Sequence, residues 1–212
     1  MAHHGYIPIA HSFLSMFKTP RVLEIGIDKG ITTFSMLHRL SNLGRPFSYL
    51  AIDILVRKEV IETVKYMGVD LNSNNIHLVE ENSLKILPKL CEQGAEFDLI
   101  FLDGDHNYYT VANELSYIKN LIHENSIIIA DDYHGRWKDI DGFYCEYKEH
   151  LENDKATKVE EAKSLEKQGV NQAIDEFLNS NQSFSSISLM QGEPTVIYQS
   201  GNSFMKQFED RS

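Results

Sequence analysis

Short apolar runs that stop on an acid, each followed by a stretch with helical apolar spacing, recur along most of this chain. That alternation restricts the fold more than any other feature. Val22-Leu23-Glu24-Ile25-Gly26 follows Pro20, and Asp28-Lys29-Gly30 turns the chain into a segment carrying Ile31, Phe34, Leu37 and Leu40 at near-helical intervals. Tyr49 to Ile54 is a second run, containing Asp53, and Val56, Val60, Val64 and Met67 follow it with helical spacing. Ile76 to Val79 is a third. Ser83 opens a helix with Leu84, Leu87 and Leu90 on one side, and Phe97 to Leu102 then ends abruptly on Asp103-Gly104-Asp105-His106. The clearest helical period is Tyr108, Val111, Ala112, Leu115, Ile118, Leu121 and Ile122. Ser126 to Ala130 is the fifth run, ending in Asp131-Asp132.

Parallel strands joined by helices have both faces covered, which is why such strands read as near-continuous apolar runs. The predicted fold is therefore α/β: a Rossmann-like, doubly wound, mostly parallel sheet. A last helix carries Val170, Ala173, Ile174, Phe177 and Leu178. Phe184 to Met190, the turn Gly192-Glu193-Pro194, and Thr195 to Tyr198 then predict a C-terminal antiparallel β-hairpin. The polar tail after Gly201 is expected to fray. Between Lys138 and Gln168 the composition shifts to dense mixed charge, read as a partly helical insertion with two alternatives. It is either a charged surface helix held by i, i+4 pairs, or a lid whose Phe143, Tyr144 and Tyr147, with Trp137 nearby, wall an acceptor pocket.

With 212 residues and 42% hydrophobic content, the chain can form one core, and a single domain over residues 1–212 is expected. Its longest apolar runs are strand-length, well short of the roughly 20 residues that span a bilayer. The N-terminal stretch lacks a basic segment followed by a long apolar one, so a cytoplasmic location and no membrane partner are expected. The two cysteines, Cys91 and Cys145, lie outside any CxxC or zinc spacing. A net charge of −11 argues against nucleic acid as a partner, because phosphate binding depends on clustered Lys and Arg.

In open α/β sheets, ligands bind beyond the carboxyl ends of the strands. Here those ends carry Glu24, Asp53, Asn82-Ser83, Asp103 to His106, and Asp131 to His134. Gly26 and Gly30 fit a turn where backbone passes close to a ligand before a helix begins. Asp53, at the end of the second strand, is placed to accept hydrogen bonds from both ribose hydroxyls of an adenosine cofactor. That acid does not separate a nicotinamide dinucleotide from S-adenosylmethionine. The Gly26-x-x-x-Gly30 spacing lacks the first step of Gly-x-Gly-x-x-Gly and weakens the NAD reading. Asp103, Asp131 and Asp132 would meet at neighbouring strand ends, where three carboxylates repel unless a cation sits among them. Oxygen-only donors suit Mg²⁺, then Mn²⁺ or Ca²⁺. His106 and His134 flank the cluster as alternative general bases.

These residues resemble class I S-adenosylmethionine-dependent methyltransferases, in the metal-dependent O-methyltransferase branch of catechol, caffeoyl-CoA and macrocin O-methyltransferases, over about residues 20 to 200. The resemblance places Glu24, Gly26, Gly30, Thr32, Asp53, Ser83 and Asp103 in the cofactor shell, with the Thr32 hydroxyl toward the methionine part and Ser83 on the adenine side. It makes Asp103, Asp131 and Asp132 metal ligands. Catechol O-methyltransferase has a lysine as base three positions after the first metal Asp, and His106 stands there in this chain. The implied activity is methylation of a hydroxyl on a small-molecule acceptor, in an enzyme expected by analogy to form a homodimer. The alternatives are a metal-independent O- or N-methyltransferase, or an NAD- or nucleotide-binding protein.

Overall fold

The structure, a computed structural model, describes residues 3–68, 75–162, 167–188 and 194–209. Its parallel part consists of β1 (Arg21–Ile25), β2 (Ser48–Asp53), β3 (Ile76–Glu80), β4 (Phe97–Leu102) and β5 (Ile122–Ala130). The intervening helices are α2 (Ile31–Ser41), α3 (Lys58–Tyr66), α4 (Ser83–Glu92) and α5 (Tyr108–Ile118), preceded by α1 (Ile7–Leu14). After β5 come α6 (Val159–Ala162), α7 (Val170–Ser180), β6 (Phe184–Ile187), β7 (Thr195–Gln199) and α8 (Lys206–Glu209). The sheet order is β3-β2-β1-β4-β5-β7-β6, with β7 antiparallel to both β5 and β6. This is the expected Rossmann-like α/β sheet, closed by an antiparallel pair. The predicted turn at Gly192 and Glu193, and the end of the sixth run at Met190, lie outside the described residues.

Side-chain alternation builds a core on each face, which explains the near-continuous apolar runs of the strands. Val22, Leu99, Phe101, Ile127 and Ile129 point to one side with Met36, Leu37 and Leu40 of α2, Val60 and Val64 of α3, and Phe13 and Leu14 of α1. Leu23, Ile25, Ile100, Leu102, Ile128 and Ala130 point to the other with Leu87 of α4, Val111 and Leu115 of α5, and Ile174 of α7. The order reverses between β1 and β4, so the loops leaving these two strands diverge to opposite faces and open a crevice at their carboxyl ends.

Four sequence expectations need correction. Ile31 is half exposed, and α2 instead buries Thr32 and Thr33 beside its apolar face. Leu121 and Ile122 leave the α5 helix, and β5 begins at Ile122. A register shift opposite Phe97 and Leu99 accommodates the extra residues, pinned where Ser126 Oγ donates to the Phe97 carbonyl at 2.7 Å. The tail beyond Gly201 does not fray at once: Asn202 caps the backbone of Phe204 and Met205, and the Phe204 ring packs on Phe13 with centroids 5.2 Å apart. The 138–168 segment is not one charged helix. Its described part holds only a 3₁₀ turn, Tyr144–Glu146, and the short α6. Its two ends meet, with Val170 N–H donating to the Trp137 carbonyl and Asn171 N–H to the Lys138 carbonyl, so the segment departs from and returns to one point.

Candidate active site

Parallel register brings the acids to one edge. Leu102 pairs with Ala130, so Asp103 and Asp131 follow side by side, and Asp131 N–H donates to the Leu102 carbonyl at 2.9 Å. Their carboxyl groups are in hydrogen-bond contact. Burial, reinforced by the facing Asp131 charge, pushes Asp103 well above the usual carboxylate range. Two facing carboxylates in contact require a shared proton or a cation between them.

The third acid of the predicted cluster turns away. Asp132 has a left-handed φ of 56° and accepts a hydrogen bond from Arg136 N–H. Its other oxygen lies 3.1 Å from His106 Nδ1. The structure therefore brings two carboxylates together rather than three, and no three His, Cys, Asp or Glu side chains are grouped as a metal shell among the described residues. The His106 ring stacks on Trp137 at 11° and 6.3 Å, with Tyr144 5.7 Å away on another side. His134, the other candidate base, points outward with Nε2 3.1 Å from Ser188 Oγ.

Between the glycine turn and the acids lies a cleft enclosing about 710 Å³, counted out to its mouth. Gly26, Asp53, Ser83 and Asp103 line it, together with Asp105, Thr110 and Glu114. Gly26 is required here: with φ at +92°, an added Cβ would stand 1.9 Å from the Asp103 backbone oxygen. Gly30 takes the left-handed φ of the α2 N-cap, where an added Cβ would stand 2.8 Å from the Phe34 ring.

Glu24, Gly30 and Thr32 lie outside the residues that line the cleft. Strand alternation sends Glu24 to the α2 face, where its Oε2 accepts from Thr33 Oγ1 at 2.7 Å and from Tyr49 OH at 2.6 Å. Thr33, not Thr32, makes that contact. Asp53 lines the cleft, but its carboxylate already accepts the N–H groups of Ile27, Asp28 and Leu55. A carboxylate has about four acceptor positions. Asp53 thus locks the glycine turn first and retains one position for a ligand.

The insertion closes the mouth. Tyr144, Glu149, His150 and Thr157 join the lining. Arg57 bridges Asp28 and Glu149, Asn153 Nδ2 donates to the Ile54 carbonyl, Lys155 pairs with Glu80, and Asn82 Nδ2 donates to the Lys155 carbonyl. These ties anchor the segment over the loops after β2 and β3. Burial and the surrounding acids, Asp103 first among them, hold the Tyr144 phenol far above its usual range, so it remains a neutral donor.

Sequence reasoning missed Asn107 as the α5 N-cap, where its Oδ1 accepts from Thr110 N–H, with Asp105 bracing its amide. It also missed Glu114. The available signal was positional: 114 lies three after Val111 and four before Ile118, on the buried stripe of α5.

Burial lifts Glu24 to about 7 and Glu114 to about 8. Between the ordinary carboxylate pKa and these values the folded state holds more protons than the unfolded one, so stability falls as pH rises. Ligand-free protein is expected to show a Tm falling from about pH 5 to about pH 8 in thermal scans. A Tm that climbs over that range would contradict these two protonated carboxyls.

A switch-point crevice with a glycine turn on one wall and an acid at the end of the second strand is the ligand-binding arrangement of a Rossmann-like sheet. Solved structures agree on that fold. SAH-bound Podospora anserina methyltransferase PaMTH1 superposes with a TM-score of 0.55 at 19% identity, covering 92% of this chain and 76% of that one. A Bacillus cereus O-methyltransferase in complex with SAH gives 0.58 at 13% identity, covering 91% and 79%. MycE from the mycinamycin biosynthetic pathway, solved with Mg, SAH and mycinamycin VI, gives 0.55 at 11%, and this chain covers 49% of it. Curated proteins yield no match. A family model described as a methyltransferase domain matches residues 23–133, more than half of the 212, and the chain belongs to that family.

Proposed function

We propose that this methyltransferase moves the methyl group of S-adenosylmethionine to a hydroxyl oxygen of a small-molecule acceptor, aided by a divalent cation, Mg²⁺ before Mn²⁺ or Ca²⁺. The observation that carries the reading is the facing, half-buried pair Asp103 and Asp131 beside the Gly26 turn. Such a pair fits a hard cation, which relieves the repulsion and takes oxygen donors. The fold neighbours from Bacillus cereus, an O-methyltransferase, and MycE, solved with Mg, are consistent with it.

Bound S-adenosylmethionine would supply the methyl group, and a cation at the acid pair would supply Lewis-acid activation of the acceptor oxygen. The remaining work falls to the chain. Gly26 lets backbone approach the cofactor, the free acceptor position of Asp53 takes a ribose hydroxyl, and Ser83 lies on the adenine side. Asp103 and Asp131 would be the oxygen donors to the cation. His106, oriented by Asp132 and held between Trp137 and Tyr144, accepts the acceptor's proton. The 138–168 segment is a lid that excludes water from the cleft. Placing an acceptor oxygen in line with the methyl is then mainly a matter of positioning.

The test uses S-adenosyl[methyl-³H]methionine with a panel of phenols and vicinal diols. Transfer to an oxygen that stops with a chelator and returns with added Mg²⁺ is the expected result. Transfer that ignores the chelator would overturn the cation, and transfer to nitrogen alone would overturn the acceptor class.

A further inference from the structure

We propose that Glu114 reads the base of the cofactor, its carboxyl taking the exocyclic amino group of adenine. This rests on the reading of the cleft as an S-adenosylmethionine site. Glu114 sits on α5, fully buried, in the wall of the cleft. One carboxyl oxygen, Oε1, accepts from Ser83 Oγ at 2.6 Å. The other, Oε2, is buried and has no hydrogen-bond partner among the described residues. A buried carboxyl oxygen without a partner costs roughly 1–3 kcal/mol, so its place in a core helix requires a use.

The surroundings have the shape a purine needs. Ile25, Ile52 and Leu55 give the cleft apolar walls, and Asp53, the ribose-side acid, lies on a different strand end from Ser83 and Glu114. Gly104 keeps the space in front of Glu114 clear: the nearest atoms to a Cβ there would be Ile25 Cγ2 at 3.0 Å and Glu114 Oε1 at 3.7 Å. A flat ring between these walls presents its polar edge to the α5 carboxyl. Adenine offers an amino donor beside a ring-nitrogen acceptor, and hypoxanthine replaces that amino donor with a carbonyl. Burial keeps Glu114 near pKa 8, so around neutral pH it is a carboxylic acid with both an O–H to give and a lone pair to accept.

The experiment is calorimetric binding of S-adenosylhomocysteine and S-inosylhomocysteine to the wild type, Glu114→Met and Glu114→Gln. The wild type is expected to prefer the adenine compound by at least about tenfold. Glu114→Met should lose that preference while its Tm is unchanged or higher, since an apolar chain of similar size replaces an unsatisfied buried group. Glu114→Gln, whose amide still gives and accepts, should keep it. Preference retained in Glu114→Met assigns Glu114 to supporting Ser83 and overturns the proposal. Equal wild-type binding of both compounds overturns it too, even if Glu114→Met fails to fold. Wild type that binds neither compound refutes the cofactor reading itself, a result distinguishable from the other two.

Discussion

Asp131→Asn is expected to make the metal-free protein more stable and the enzyme inactive. The substitution removes one of two facing carboxylates, so the Asp131 charge that adds to the burial raising Asp103 disappears, and an amide can donate to the carboxylate it faces. A gain of about 1–2 kcal/mol at pH 8 is expected, which for a chain of this size is a Tm rise of roughly 2–8 °C. Methyl transfer should fall by about a thousandfold, the scale of losing one preorganised electrostatic contribution to a transition state. Affinity for S-adenosylhomocysteine should stay within about threefold, because the wall formed by Gly26, Asp53 and Ser83 is untouched. Loss of stability with Asp131→Asn would mark Asp131 as a structural residue and remove the argument for a cation.

Gly26→Ala carries the largest structural effect. The left-handed φ of +92° costs an L-residue about 1–2 kcal/mol. The Cβ, 1.9 Å from the Asp103 carbonyl oxygen, meets rigid backbone and forces the ends of β1 and β4 apart. A destabilisation of about 3 kcal/mol or more is expected, together with at least a hundredfold loss of S-adenosylhomocysteine affinity. Gly44→Ala is the control: φ is +64°, but nothing lies within 4 Å, so a loss of about 1 kcal/mol is expected. Thermal unfolding and calorimetry on both variants separate the contact from the conformational strain. Normal binding by a folded Gly26→Ala protein would show that the turn does not approach the cofactor.

The strand ends were legible in the sequence because periodicity reports which residues are buried, and a parallel sheet aligns the carboxyl ends of its strands. That placed Gly26, Asp53, Ser83 and Asp103 on the cleft and put Asp131 beside Asp103. Side-chain direction was not legible. Asp132 differs from Asp131 by a left-handed backbone that no neighbouring glycine announces, and its carboxylate goes to His106 instead of the acid pair. Glu24 lies one residue before the cleft-lining Ile25, and the period of the strand alone turns it to the α2 side, where Thr33 and Tyr49 hold it. The insertion was misread in form because its order comes from long-range ties, such as Arg57 to Glu149 and Lys155 to Glu80, rather than from local helical pairing.

The central claim is a cation site at the ends of β4 and β5. Titration of Mn²⁺ into S-adenosylhomocysteine-bound protein, followed by the loss of the free-ion signal in electron paramagnetic resonance, tests it without knowledge of the acceptor. The account predicts about one Mn²⁺ per chain, displaced by Mg²⁺, with binding lost in Asp131→Asn. An undiminished free-ion signal in the wild type, or equal uptake by Asp131→Asn, would contradict it.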